Sequence, residues 1–130
     1  MDSTILVVED DAHLREVITE ALSDEGFTVY QANDGERALE RLETMAPDLV
    51  LSDVRMPRLT GIELAERLKQ RRDPIPIVRM SANANAPLGG GAMFLAKPFS
   101  LDDLVALVAR VLDRSARSRS DSSRHLALAL

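Results

Sequence analysis

Four aliphatic residues, Ile5-Leu6-Val7-Val8, run directly into three carboxylates, Glu9-Asp10-Asp11. A short, largely β-branched run of this kind reads as a strand buried on both faces. The residues that follow, Leu14, Val17, Ile18, Ala21 and Leu22, have helical spacing, and Gly26 stands where a helix commonly ends. The same alternation recurs along the chain. Strands are expected at Phe27 to Ala32, Leu49 to Leu51, Ile75 to Met80 and Met93 to Ala96. Between them, Asp34 can cap a helix carrying Ala38, Leu39 and Leu42, and Thr60 with Glu63 forms a capping box ahead of Ile62 to Leu68. Ser100 opens a last helix carrying Leu104, Val105, Leu107, Val108, Val111 and Leu112. Strands separated by helices of this length demand right-handed crossovers and therefore an α/β fold with a parallel sheet and helices on both faces.

The rest of the sequence narrows the function. There is no cysteine, which excludes disulfides, thiolate metal sites and thiol catalysis. No stretch approaches the roughly 20 apolar residues of a membrane span, and the start of the chain does not read as a signal peptide, so a soluble cytoplasmic protein without membrane contact is expected. Residues 113–130 hold four arginines against two aspartates, so residues 1–112 carry the whole net charge of −5 and two negative charges more. Such an acidic body argues against direct nucleic-acid binding. The Ser/Arg-rich stretch beyond Leu112 offers little apolar surface to bury and reads as a flexible tail or linker. The expected division is residues 1–112 as one domain and 113–130 as that tail.

Ligands of open parallel sheets bind at the carboxyl ends of the strands. Glu9 and Asp10 follow the first strand, Asp53 the third, Ser81 the fourth and Lys97 the fifth. Two carboxylates about 4 Å apart repel by on the order of 4 kcal/mol at an effective dielectric of 20. A hard divalent cation relieves that repulsion, and Mg2+ favours one or two carboxylates with water and phosphate oxygens. Asp53 is then a nucleophile able to form an acyl phosphate, with Lys97 and Ser81 on the remaining phosphoryl oxygens. Each residue alone has a plainer reading: the acids as a helix N-terminus, Asp53 as a cap, Lys97 as a surface cation. Their joint placement favours the site.

Three segments carry a resemblance: Ile5–Asp11 (ILVVEDD), Pro47–Pro57 (PDLVLSDVRMP) with Gly61, and Lys97-Pro98-Phe99. Together they resemble the receiver domains of bacterial two-component response regulators of the chemotaxis-regulator kind, over residues 4–112. The resemblance implies a five-stranded flavodoxin-like sheet in the order 2-1-3-4-5. It also implies Asp53 as phosphoacceptor, Asp10 as a direct Mg2+ ligand, Glu9 holding the ion largely through water, and the Arg55 backbone carbonyl as a further ligand. Ser81 matches the switch hydroxyl, Lys97 the phosphoryl-binding lysine and Phe94 the aromatic switch position; Lys97-Pro98 is expected to be cis. The phosphoryl group would come from a histidine kinase or a histidine phosphotransfer protein, and no output partner is legible. His13 and His125 have no part in this chemistry. On this reading the chain is a phosphorylation-dependent switch and not a turnover enzyme, limited to its own phosphorylation and slow dephosphorylation.

The sequence departs from the family in one region. Ser81 and Lys97 are 16 positions apart, closer than the family's usual spacing, and Pro87 with Gly89-Gly90-Gly91 falls between them. Those residues oppose a helix, so the helix between the fourth and fifth strands is expected to be missing or reduced. Arg79 is unusual inside a strand and is expected to reach water on the face such a helix would cover. Two rival functions remain: a receiver fold kept for phosphorylation-independent protein binding, and a Mg2+-dependent aspartyl-phosphate phosphohydrolase. The second lacks its general acid, because the position two beyond Asp53 is Arg55.

Overall fold

The computed structural model describes residues 3–55, 59–71, 74–82 and 93–129, with the backbone alone for Gly61 and residues 116–129. The elements follow in the order β1 (Thr4–Val8), α1 (Ala12–Asp24), β2 (Thr28–Ala32), α2 (Gly35–Leu42), β3 (Leu49–Asp53), α3 (Gly61–Lys69), β4 (Ile77–Ser81), β5 (Met93–Ala96) and α4 (Leu101–Ala129). The five strands pair in parallel in the order β2-β1-β3-β4-β5. β3 and β4 are buried at every position, as expected of strands covered on both faces, while the edge strand β2 alternates exposed and half-buried residues.

Side-chain alternation divides the interior into two layers. Ile5, Val7, Leu49, Leu51, Val78 and Met80 point to one face and meet Ile18 and Leu22 of α1 with Leu104 and Val108 of α4. Leu6, Val8, Val50 and Ile77 point to the other and meet Ala38 and Leu42 of α2 with Leu64 and Leu68 of α3. Polar residues start the helices. Asp11 accepts from the Leu14 amide at 3.1 Å, Asp34 from the Arg37 amide at 2.8 Å and Ser100 from the Asp103 amide at 3.0 Å. Thr60 and Glu63 complete their capping box. Gly26 adopts φ +95° directly after the last residue of the α1 cap, a conformation that costs glycine little. Gly35 answers a different need. A Cβ there would lie 2.6 Å from the Leu59 carbonyl oxygen and 2.7 Å from the Leu59 Cβ, so only glycine lets α2 approach the segment leading into α3.

Two expectations are modified, and a third falls outside the described residues. Arg79 does not reach water: it is 1% exposed, in register with Ser52 of β3 and Phe94 of β5, and burial pulls its guanidinium below its ordinary pKa. A sheet with neighbours on both sides gives a central strand no edge to snorkel from. The segment after β4, expected to lack a helix, falls at residues 83–92, outside the described residues. Among the residues whose side chains are described, the last buried ones of α4 are Val111 and Leu112, but its backbone stays helical to Ala129, where composition alone reads as a flexible tail. Residues 101–129 contain no glycine or proline. A helix nucleated by the packed turns therefore meets nothing that stops it, since alanine, leucine and arginine propagate helices well.

Candidate metal and phosphoacceptor centre

The parallel register brings the ends of β1, β3 and β4 to one edge. Val8 is level with Ser52, Asp53 with Met80, and Ser81 with Ala96. Asp53 and Ser81 are thus the last residues of their strands, and Glu9 is the first residue after β1. All three are buried, whereas Asp10 is exposed. One carboxylate oxygen from each of Glu9, Asp10 and Asp53 lies within 4.8 Å of the others, a spacing that one cation could span.

Lys97 closes the cluster from β5. Its Nζ donates to Glu9 Oε1 at 2.8 Å and sits 3.5 Å from Asp53 Oδ2. Its backbone is fixed by donation from its amide to the Ser81 carbonyl at 2.8 Å, and Lys97-Pro98 is cis. Burial works to lower the Lys97 pKa, but the hydrogen bond to Glu9 and the charges of Asp53 and Glu9 outweigh it, so the net direction is upward. Glu9 is raised, above all by burial, with Asp10 and Asp53 acting in the same direction; the Lys97 hydrogen bond and the Asp11 amide oppose this without cancelling it. A carboxylate held above its ordinary range beside two others marks a site short of positive charge.

The acidic turn is also held from behind, by a residue the sequence reading passed over. Arg15, in the first turns of α1, donates from Nη1 to the Glu9 carbonyl at 2.7 Å and from Nε to Gln31 Oε1 at 3.0 Å. It ties the turn carrying Glu9 and Asp10 to the end of β2. The Asp11 amide donates to Glu9 Oε2 at 3.2 Å, and Asp11 itself is exposed and spent on its cap. An arginine one turn into a helix that follows acids is the only sequence signal for this tether. Its acceptors, a carbonyl six residues back and an amide sixteen ahead, carry no motif.

The remaining positions fall out as follows. The Arg55 amide approaches Asp53 Oδ1 at 3.4 Å, and the Arg55 side chain is exposed. Ser81 is at the site edge, buried. Phe94 is half-buried one residue short of Leu95, level with Arg79 on the neighbouring strand. His13 is exposed.

The family model of the response regulator receiver domain matches residues 5–109. The chain belongs to the response regulator receiver family. Among curated relatives it is 37% identical to the response regulator MprA of Mycobacterium ulcerans (strain Agy99), over 98% of this chain and 58% of that protein. It is 36% identical to the DNA-binding transcriptional regulator NtrC of Escherichia coli (strain K12), over 83% of this chain and 24% of that protein. The chain thus spans little more than half of one relative and a quarter of the other. Among solved structures, the receiver domain of the Francisella response regulator 1452 superposes with a TM-score of 0.80 at 29% identity, covering 88% of this chain and 99% of that one. The chemotaxis response regulator CheY4 of Vibrio cholerae superposes with a TM-score of 0.77 at 28% identity, covering 85% and 99%. The receiver fold and its sheet order are therefore those expected, and a phosphorylation-dependent switch in two-component signalling fits this domain. Among the described residues no helix of the receiver is long and apolar enough to cross a membrane.

The donor set suits the cation that receiver domains bind. Carboxylates such as these three are hard oxygen ligands of the kind Mg2+ takes.

Proposed function

We propose that Asp53 accepts a phosphoryl group from a phosphohistidine on a histidine kinase or histidine phosphotransfer protein. An Asp53 carboxylate oxygen forms the new P–O bond as the P–N bond to the imidazole breaks, and the imidazole keeps the electron pair and takes up a proton. Glu9, Asp10, Asp53 and the Arg55 carbonyl are the residues that would hold Mg2+. When bound, the ion supplies neutralisation of charge on the phosphoryl oxygens.

Lys97 leaves its pairing with Glu9 and Asp53 for the phosphoryl oxygens. The new group adds about −1.5 to −2 of charge and three acceptor oxygens. Ser81 contacts the phosphoryl oxygens only in that state, and Phe94 repacks with it. A differential contact of this kind is what biases a two-state element. The chain is an acceptor that turns over only its own phosphate, and its place is the cytoplasm. Residues 1–112 form the working receiver, and 113–130 are a tail or linker.

The observation that carries this reading is the Lys97 ammonium beside the Asp53 carboxylate within a cluster of three acids. Borohydride trapping tests it: reduction of the acyl phosphate made with acetyl phosphate should convert residue 53 to homoserine. Conversion at any other carboxylate would refute the assignment.

A further inference from the structure

At the end of β2 the surface opens into a cavity of about 270 Å3 lined by Arg15, Gln31, Ala32, Asn33 and Arg37. Every polar side chain in that lining is a hydrogen-bond donor, two of them guanidinium groups. In a chain of net charge −5 this is a local reversal of sign.

The bonds already made there leave donors to spare. Arg15 spends Nη1 on the Glu9 carbonyl and Nε on Gln31 Oε1. Both acceptors are neutral, and among the described residues Arg15 makes no ion pair. Because Gln31 accepts through Oε1, its NH2 group is left to donate. Arg37 pairs with Glu40 at 2.8 Å, but the two side chains are 52% and 62% exposed, and such surface pairs contribute little and are readily exchanged. Asp34, next to Asn33 in sequence, is buried and accepts from the Arg37 amide at the start of α2.

We infer that Arg15, Gln31, Asn33 and Arg37 form a binding site for a phosphate group, separate from the acid cluster and behind its supporting turn. Two guanidinium groups match the charge of a phosphate dianion, and their planar forks suit its oxygens. The amides of Gln31 and Asn33 add neutral donors. The site does not depend on Asp53 being the phosphoacceptor, and its occupant is either free phosphate or an organic phosphate monoester.

Heteronuclear NMR titration tests this on the full chain carrying Asp53→Asn, in EDTA. Neither acyl phosphate chemistry nor metal-recruited phosphate can then contribute. Inorganic phosphate should give saturable shifts of the Arg15 Nε–H and of the Gln31 and Asn33 side-chain amides. Chloride at matched ionic strength should not. Arg37→Gln, which leaves the Arg15 tether in place, should weaken binding roughly tenfold through loss of one charge-assisted pair. Arg15→Gln should weaken it at least as much, and circular dichroism monitors its fold. O-phosphoserine separates the sources: saturation by both ligands assigns a site open to monoesters, and saturation by inorganic phosphate alone assigns the free ion. Linear, non-saturating shifts, equal affinity for acetate, or unchanged binding in Arg37→Gln would each overturn the proposal.

Discussion

The Lys97 ammonium donates to Glu9 Oε1 at 2.8 Å across 88 residues of sequence, joining the end of β1 to the residue after β5. Both groups are held above their ordinary pKa values, Glu9 chiefly by burial and Lys97 by its two acidic neighbours against the effect of burial. Without a cation, Lys97 is the positive charge that holds the acid cluster together.

Lys97→Ala is therefore expected to destabilise the metal-free protein by about 1–3 kcal/mol, less than a fully buried pair would cost because the lysine side chain is 21% exposed. Mg2+ should recover part of the loss by binding only the folded state. Urea denaturation with EDTA and with Mg2+ measures both. A variant as stable as the parent in EDTA would remove Lys97 from this role.

Glu9 gives the pH dependence its sign. A carboxyl whose folded pKa is raised favours folding when protonated, and that contribution fades as pH rises through the raised value. Glu9→Gln should then stabilise the metal-free protein at neutral pH, with the gain vanishing below the ordinary glutamate range. It should also reduce the stabilisation that Mg2+ provides. Thermal melts from pH 4 to 8 in EDTA are the check, and a Glu9→Gln variant less stable than the parent throughout would contradict the direction of the shift.

Gly35 is tested sterically. Gly35→Ala puts a methyl group within 3 Å of the backbone and Cβ of Leu59, so the segment before α3 must move. A cost of about 1–3 kcal/mol is expected from overpacking of this kind. Serine at the same position should cost at least as much; equal stability of parent and Gly35→Ala would show that the segment yields freely.

The Arg15 tether predicts an effect on metal binding. Arg15→Ala frees the Glu9 carbonyl and should weaken Mg2+ affinity roughly tenfold, as loss of a supporting contact behind a ligand typically does. Gln31→Ala should move affinity in the same direction by less. Isothermal titration of the folded variants decides it, and unchanged affinity in Arg15→Ala would reduce the tether to a packing contact.

Much of this was legible in the sequence because it depends on local rules. Apolar runs fixed the strands, Asp34, Thr60 and Ser100 marked helix starts, and parallel connection forced Glu9, Asp53, Ser81 and Lys97 to a common edge. What stayed hidden depends on partners distant in sequence. Arg15 reads as a solvated helix residue until the end of β2 is beside it. Arg79 reads as a residue seeking water, although both neighbouring strands wall it in. The reach of α4 was missed for a different reason: a Ser/Arg-rich composition signals solvation, and a solvated segment can still be helical when nothing in it breaks a helix already begun.

Intact-mass spectrometry after incubation with acetyl phosphate tests the central claim most directly. With Mg2+ the chain should gain one phosphoryl group, and with EDTA none. Asp53→Asn should gain none in either condition. Phosphorylation of Asp53→Asn at the parent's rate would contradict the account.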